Sequence, residues 1–298
     1  MGLSQIQRSD LRKSLQTVFS ETVVSVVRSM KRPRNIAARY ERAWPLVLAM
    51  VGLRSTGESN DLTAKQILQR MKKKNLIFNG KGDKTTFQHH QLFKDTEKIS
   101  EKAIIAGYEC LSDTSLGGKI PHPWREILPE DIGSCYEIMK EQTAKKVKGK
   151  IKLVRRDDRR KGGIHHSPQD LISYMVNSSL ELVDCKNPVL CDMAVGAGAF
   201  LISGVREIHE QTDIPIRDLF EHCTIGFDVD SKVLKVAAYC IHIAAGCPDL
   251  PLNIHLYSGD SLKGRNSRRR IQQKISNSFV DMEKRQLIFI GNPPYVRV

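Results

Sequence analysis

The residue types best suited to chemistry form the tetrad Asn292-Pro293-Pro294-Tyr295. The side chain of Asn292 offers a carbonyl oxygen, and the peptide carbonyl of Pro293 points the same way because proline fixes its own φ. Two acceptors on a rigid loop can bind both hydrogens of an amino group. Tyr295 adds a flat face for a ring, and base-aromatic stacking contributes roughly 1–3 kcal/mol per base. The tetrad therefore suits an amino group carried on a ring.

A strand is expected to hold this tetrad, because the apolar run 287–290 directly precedes it. Such a run is typical of a buried parallel strand. Open α/β sheets bind their ligands at the C-terminal ends of the strands, which is where the tetrad is expected to lie.

A second motif begins with the apolar run 188–192 and passes through a glycine-rich turn into a helix. Gly196 and Gly198 let the backbone approach a ligand closely, with the N-terminus of the helix beneath it. The third glycine of a dinucleotide-binding fingerprint is missing, which argues against a nicotinamide enzyme. A plain strand-turn-helix packing motif is the other interpretation.

Together, the two motifs resemble those of amino-group methyltransferases that use S-adenosylmethionine, above all the adenine-N6 DNA methyltransferases. The second motif has that family's form, Asp192-x-Ala194-x-Gly196-x-Gly198-x-Phe200. The resemblance implies S-adenosyl-L-methionine as the cofactor, these five residues in its binding site and the Asn-Pro-Pro-Tyr tetrad as the catalytic motif.

Carboxylates follow two further strand-like runs, 223–227 and 253–258. An acid at the tip of the second strand is placed to hold a ribose diol, and by resemblance Asp228 matches the family's ribose-binding acid. Asp260 stands in a Gly-Asp-x-Leu setting, and the resemblance implies that it contacts the adenine amine of the cofactor. Asp230 is expected to cap the helix that follows it.

The segment 161–171 precedes the cofactor motif. Its Ser167-Pro168 pair resembles the Gly-x-Tyr-Tyr-Thr-Pro element that covers the methionine part of the cofactor in this family, with Ser in place of Thr. His165 and His166 replace two aromatic residues, so a surface loop is the alternative interpretation. No cysteine or acid lies nearby at ligand spacing, and no metal site is expected.

Length and charge limit the number of domains and the class of partner that are expected. The 298 residues favour two domains, and a formal net charge of +14 with a pI near 9.5 favours a polyanion, for which double-stranded DNA is the natural candidate. Residues 145–161 hold ten cations and two acids, which indicates either a solvated linker or a phosphate-binding segment. The predicted phosphate contacts are four arginines: Arg155, Arg156, Arg159 and Arg160.

The seven cysteines form no Cys-x-x-Cys pair, and several lie in apolar runs. They indicate reduced, buried side chains in a cytoplasmic protein. No apolar stretch is long enough to span a membrane and no signal peptide is recognised, so no membrane partner is expected.

The expected fold class is α/β with three segments. Residues 163–298 are expected to form a Rossmann-like methyltransferase core, residues 1–145 a mainly helical domain, and residues 146–162 a basic linker between them. Within the first segment, apolar residues at helical spacing from Leu11 to Met30 predict a helix.

Two further segments of the N-terminal region bear on function. Residues 63–82, a basic helix followed by an Asn-Gly turn, allow a winged-helix interpretation. Residues 128–139 resemble the Leu-Gly-x-x-Tyr-Glu helix that precedes the core in type I modification subunits and type IIG restriction-modification enzymes. No Asp-to-Glu-x-Lys arrangement lies on strand-like sequence in residues 1–120, so nuclease activity is not predicted.

The resemblance thus implies a site-specific methyltransferase that acts on adenine N6 of DNA in a restriction-modification system. That family's domain has seven strands, and four are counted here. We therefore expect the core to be truncated after the fourth strand, and residues 1–298 alone to be inactive until a C-terminal fragment or specificity subunit is supplied. Two alternatives stay open: a protein-glutamine N5 methyltransferase, and a catalytically inactive DNA-binding or assembly subunit.

Overall fold

The computed structural model describes residues 4–56, 66, 99–112, 124–156, 167–183, 188–246, 252–261 and 267–293. These residues fall into two compact units, one formed by the described residues up to 156 and the other by those from 167 onward. None of the described helices has both the length and the hydropathy that a membrane crossing requires. The winged-helix hypothesis for residues 63–82 lies outside the described residues, apart from Gln66.

The first unit is mainly helical, as predicted. Its helices are α1 (Gln5–Ser29), α2 (Ile36–Ser55), α3 (Glu101–Ser112) and α4 (Pro129–Glu141), with a 3-10 turn at Trp124–Glu126. Helix α1 packs against the other three. The residues predicted to share its apolar face are all buried: Leu11, Leu15, Val18, Thr22, Val26 and Met30.

A buried carboxylate joins α4 to α1. Asp131 is fully buried, and it accepts hydrogen bonds from Arg8 (3.1 Å), Arg12 (2.8 Å) and the backbone N–H of Leu128 (3.0 Å). Removing one partner of a buried ion pair costs about 3–5 kcal/mol, because the other charge is left uncompensated. This cluster therefore fixes the helix predicted at 128–139 against the first helix.

The basic segment contains a hairpin where a linker was expected from the sequence. Strands β1 (Gln142–Val147) and β2 (Lys150–Arg155) pair antiparallel, and the turn residues Lys148 and Gly149 both have positive φ values, 48° and 78°. Two positive φ values are what a type I′ hairpin turn requires. Residues 150–153 read Lys-Ile-Lys-Leu, and this alternation of polar and apolar residues is typical of a strand. The many charged residues around it led to the prediction of a linker. The first unit therefore continues past residue 145.

The second unit is α/β with a parallel sheet, as predicted. Strands β3 (Pro188–Asp192), β4 (Thr224–Asp228), β5 (His255–Ser258) and β6 (Gln286–Phe289) coincide with the apolar runs identified in the sequence. They lie in the order β5-β4-β3-β6, and every neighbouring pair is parallel. The helices are α5 (Gln169–Leu180), α6 (Ala199–Thr212), α7 (Ile216–Cys223), α8 (Ser231–Ala244) and α9 (Ser267–Ser278).

The strand order reverses at β3. From β3 the chain moves to β4 and β5 on one side, and it then returns to form β6 on the other side. At such a reversal the loops after two neighbouring strands run in opposite directions and leave a crevice at the C-terminal ends of the strands. The C-terminal ends of β3 and β6 are therefore where a ligand is expected to bind in this unit.

Candidate functional site

Residues 193–198 form a glycine turn between β3 and α6. Gly196 and Gly198 have positive φ values, 54° and 92°, which other residues adopt only at a cost. A Cβ placed on Gly196 would meet only the carbonyl oxygen of Ala194, at 4.0 Å. Among the described residues the space beside Gly196 is thus open, and this part of the turn can face a ligand.

Close packing against β4 holds the glycine turn in place. A Cβ placed on Gly226 would lie 2.8 Å from Leu256 and 2.9 Å from Val195, so a side chain there would force the turn outward. The N–H of Val195 donates a hydrogen bond to the carbonyl of Phe227 (2.9 Å). These contacts hold the turn against β4, and they do not involve the open side of the turn beside Gly196.

Asp228, at the end of β4, ties the glycine turn to the tip of that strand. Its Oδ2 accepts a hydrogen bond from the N–H of Gly196 (3.0 Å), and its Oδ1 accepts one from the N–H of Asp230 (2.9 Å). Each carboxylate oxygen has a second lone pair, so the half-buried Asp228 can also accept from a diol. The predicted helix cap is confirmed, because Asp230 accepts a hydrogen bond from the N–H of Lys232 (2.9 Å) at the start of α8.

One exposed apolar side chain at this edge was not predicted from the sequence. Val229 is 67% exposed, between Asp228 and Asp230. It offers an apolar surface for a flat group next to the carboxylate that could hold a diol. A single apolar residue between two acids at a strand end was the signal that would have identified it.

The loop after β5 reaches the same edge of the sheet. The N–H of Gly259 donates to the carbonyl of Asp228 (2.9 Å), and the hydroxyl of Ser261 donates to the carbonyl of Met193 (2.8 Å). Asp260 lies between these two anchored residues and is half-buried. The structure therefore brings the loop that carries Asp260 next to both the tip of β4 and the glycine turn.

Residues 290–293 form the Asn292 loop at the end of β6. The N–H of Ile290 donates to the carbonyl of Cys191 (3.0 Å), so β6 stays paired with β3 up to the loop. The Nδ2 of Asn292 donates a hydrogen bond to the Oγ of Ser167 (3.0 Å), which leaves the Oδ1 of Asn292 as an acceptor. Pro293 is exposed, whereas Pro294 and Tyr295 lie outside the described residues.

A buried carboxylate lies between the glycine turn and the Asn292 loop. Asp192 is fully buried; its Oδ1 accepts a hydrogen bond from the N–H of Ala194 (2.9 Å), and its Oδ2 has no hydrogen-bond partner among the described residues. Gly291 packs directly on this group, since a Cβ placed there would lie 2.9 Å from the Cγ of Asp192. Burial raises the pKa of Asp192 to about 7, an effect that the N–H of Ala194 opposes and the charge of Asp228 reinforces.

Three other residues of the predicted cofactor site have supporting positions. Phe200 is buried in the first turn of α6, and Gly198 is the residue before that helix, where a Cβ would lie 3.6 Å from Ala237. Pro168 is exposed and precedes α5. Gly198 and Phe200 thus lie where the glycine turn meets α6, and Ser167, the residue before Pro168, contacts the Asn292 loop through its hydroxyl.

The four arginines predicted to contact phosphate differ in their surroundings. Arg155 is exposed on β2. Arg156 is engaged within the first unit, where its guanidinium pairs with Glu41 and donates to the carbonyl of Gln142 (2.6 Å). Arg159 and Arg160 lie outside the described residues. The placement of Arg156 indicates that it braces the hairpin.

Stability is expected to depend on the charge of Asp192. The pKa of an unfolded aspartate is about 3.9, and the folded-state pKa is raised to about 7, so the folded chain holds this proton more tightly. The free energy of unfolding should therefore fall as the pH rises from about 4 to about 7 and level off above that range. Asp192→Asn keeps an acceptor for the N–H of Ala194 but carries no charge, so this fall should be absent from the variant. Urea unfolding at several pH values measures it.

Asp230→Asn is the matched control for this measurement. It removes a carboxylate from the neighbouring strand end but leaves the buried group in place, so its stability should follow the wild-type dependence on pH. Parallel curves for the wild type and Asp192→Asn would mean that the buried carboxyl does not take up a proton in this range.

Comparison with known proteins gives similarity at the level of structure alone. No family model and no curated protein matches the chain. A type I restriction-modification methyltransferase subunit from Streptococcus thermophilus is 16% identical, with a TM-score of 0.37, over 87% of this chain and 57% of that chain. A nuclease-deletion mutant of the Type ISP restriction-modification enzyme LlaGI, in complex with a DNA substrate mimic, is 12% identical, with a TM-score of 0.40, over 98% of this chain and 24% of that chain.

A third similar structure is the DrdV–DNA complex, which is 12% identical with a TM-score of 0.40 over 98% of this chain and 27% of that chain. The chain thus spans between about a quarter and just over half of the length of these three proteins. Identities and TM-scores this low transfer neither a fold nor a function to the chain. What the site can do chemically is therefore inferred from the residues of this chain alone.

Proposed function

We propose that this chain carries the cofactor-binding and catalytic residues of an S-adenosylmethionine-dependent methyltransferase that acts on adenine N6 of DNA, within a restriction-modification system. The observation that carries the proposal is the meeting of two loops at the C-terminal ends of β3 and β6. There Gly291 packs on Asp192 at the start of the glycine turn, and Asn292 is hydrogen-bonded to Ser167. The proposal is supported because an amide oxygen and a glycine turn lie at the same edge of the sheet.

The residues at this edge fit S-adenosylmethionine. The open space beside Gly196 suits close approach of a ligand to the backbone. Asp228 carries a carboxylate suited to ribose hydroxyls, Val229 offers an apolar surface for a ring, and Asp260 carries a carboxylate suited to an exocyclic amine. The buried Oδ2 of Asp192 lacks a hydrogen-bond partner among the described residues, which is rare for a buried polar atom and supports a polar ligand at this edge. When bound, S-adenosylmethionine supplies an electrophilic methyl group on a positively charged sulfur.

The role proposed for Asn292 is to bind and orient the target amine. Its Nδ2 is directed to Ser167, so its Oδ1 is left to accept a hydrogen from the amine. The carbonyl of Pro293 would accept the second hydrogen. Two such hydrogen bonds hold the nitrogen lone pair out of conjugation with the ring, which makes the amine a better nucleophile.

The substrate proposed for this site is an adenine that has left the stack of the duplex. A base inside a duplex cannot reach a pocket at a strand end, and extruding it costs a few kcal/mol. Stacking on Tyr295 would offset part of that cost. In this scheme the protein accelerates the reaction mainly by positioning the two reactants.

Cofactor binding and methyl transfer test the proposal separately. Calorimetry should detect S-adenosylmethionine binding to the chain. Tritium from labelled cofactor should appear in N6-methyladenine after digestion of duplex DNA, with residues 1–298 and the product of the entire reading frame assayed in parallel. Binding without transfer by either protein would favour an inactive DNA-binding or assembly subunit. Label in a glutamine-containing peptide, or in cytosine, would overturn the assignment to adenine.

A further inference from the structure

The hairpin of the first unit has an unusual concentration of positive charge. Residues 142–155 include six cations and no acid. All six side chains are exposed: Lys145, Lys146, Lys148, Lys150, Lys152 and Arg155. The hairpin itself therefore has no acidic side chain that could neutralise these charges.

The register of the hairpin separates its two faces. Residues directly opposite each other share a face, and successive residues alternate between faces. One face carries Ala144, which is buried, with Leu153 opposite it. The other face carries Lys145 opposite Lys152, with Lys150 two residues before Lys152. We define the lysine face as Lys145, Lys150 and Lys152, with Lys148 at the adjoining turn.

The opposite side of the hairpin is anchored to the helices of the first unit. Strand β1 packs against α2, and β2 packs against α1. Arg28 of α1 donates a hydrogen bond to the carbonyl of Ile151 (3.4 Å), and Arg156 joins the carbonyl of Gln142 to Glu41 of α2. The lysine face is thus presented to solvent on a braced ribbon.

Three lysines of the hairpin lack an ion-pair partner among the described residues. Among the described residues no ion pair involves Lys148, Lys150 or Lys152. Like charges that are neighbours on one face of an antiparallel pair are destabilising. A surface of this kind is stabilised by an anionic partner that has several charges at regular spacing.

We propose that the lysine face of this hairpin binds the phosphate backbone of duplex DNA. Lys150 and Lys152 are two residues apart on one strand, which spaces their backbone positions by about 7 Å. A two-stranded ribbon is also narrow enough to lie in the major groove, which is about 12 Å wide. Lysine binds phosphate as a point charge, and phosphate contacts position a protein without reading sequence. The choice of DNA rests on the proposed function, whereas the surface belongs to a different unit from the proposed active site.

The test compares two triple variants of the full chain that remove the same charge. Lys148→Gln, Lys150→Gln and Lys152→Gln are combined in one variant. Lys13→Gln, Lys31→Gln and Lys102→Gln, at exposed positions on the helical part of the same unit, are combined in the control. Fluorescence anisotropy then measures binding to a labelled duplex of random sequence over a series of salt concentrations.

We expect the hairpin variant to bind the duplex at least about tenfold more weakly at roughly 0.1 M salt. The slope of log K against log salt should flatten by about 0.9 for each phosphate that the variant no longer neutralises. The control should keep the wild-type slope. A third variant with arginine at 148, 150 and 152 should also keep it, because the charge is retained.

Several results would overturn the proposal. Equal losses in the hairpin variant and the control would mean that only the net charge matters, and an unchanged slope would mean that these lysines do not bind phosphate. Loss of binding to phosphatidylserine vesicles with duplex affinity intact would assign the surface to lipid. Thermal unfolding of each variant shows that the fold is retained. Because calorimetry with S-adenosylmethionine should give wild-type affinity in all variants, failure here and failure of the proposed function are distinguishable.

Discussion

Asn292→Ala should lower the rate of methyl transfer to adenine by about 10²–10³-fold and leave the affinity for S-adenosylmethionine unchanged. A change of this size is typical of removing one polar group that acts on the reacting atoms. The Oδ1 of Asn292 is the acceptor that the hydrogen bond to Ser167 leaves for the target amine. Single-turnover transfer of tritium to duplex DNA, measured with the product of the entire reading frame, gives the rate, and calorimetry gives the affinity.

Ser167→Ala is a second variant that perturbs the same interaction and should have a smaller effect. It removes the hydroxyl that orients the amide of Asn292 but leaves the amide itself. The rate should then fall only about five- to tenfold, as expected from a hydrogen bond that contributes about 1 kcal/mol. A larger loss of cofactor affinity than of rate would instead support the role implied by the family resemblance, in which Ser167 covers the methionine part of the cofactor. Equal rates for Asn292→Ala and the wild type would remove Asn292 from the chemistry.

Asp228→Ala should weaken S-adenosylmethionine binding by roughly 1.5–3 kcal/mol, the contribution of a charge-assisted hydrogen bond. That corresponds to a rise in Kd of roughly ten- to 150-fold. Two effects contribute, since the ribose would lose its acceptor and the N–H of Gly196 would lose the oxygen that holds the glycine turn. Calorimetry with wild type and variant measures the change.

The ligand supplies a control that separates these two effects. With an analogue that lacks one ribose hydroxyl, Asp228→Ala should cost less, whereas a defect in the turn would weaken both ligands equally. Asp230→Ala removes the neighbouring carboxylate and the cap of α8 but should keep wild-type affinity. If Asp228→Ala bound the cofactor as tightly as the wild type, the assignment of this edge to the ribose would fail.

The strands were predictable because a parallel strand covered on both faces is a continuous apolar run. Pro188–Asp192 and Thr224–Asp228 are buried almost throughout, and both end in carboxylates that stood out in the sequence. Polar residues that follow such runs reach one edge of the sheet whatever the exact register. The local sequence pattern was therefore sufficient to predict that Asp192, Asp228 and Asn292 lie at the same end of the unit.

The contacts between these residues were not predictable, because they join segments far apart in sequence. Nothing local to Ser167 indicates that its hydroxyl meets Asn292, and nothing local to Gly291 indicates a carboxylate against it. The hairpin was missed for a different reason. Six cations in fourteen residues resemble a solvated linker, while the alternation that makes a strand was carried by only a few apolar side chains.

The contact between Gly291 and Asp192 also fixes the register of β6 against β3. A slip of one residue would bring the Cβ of Ile290 or Asn292 against the buried carboxylate, where even a methyl group has no room. Strand pairing thus sets the position of Asn292 along the sheet edge, and the hydrogen bond to Ser167 then orients its amide. Because that pairing joins Pro188 to Gln286, the alignment depends on a long-range contact that forms slowly in folding. A chain that has folded its glycine turn correctly can therefore still lack an aligned Asn292 until β6 has paired with β3.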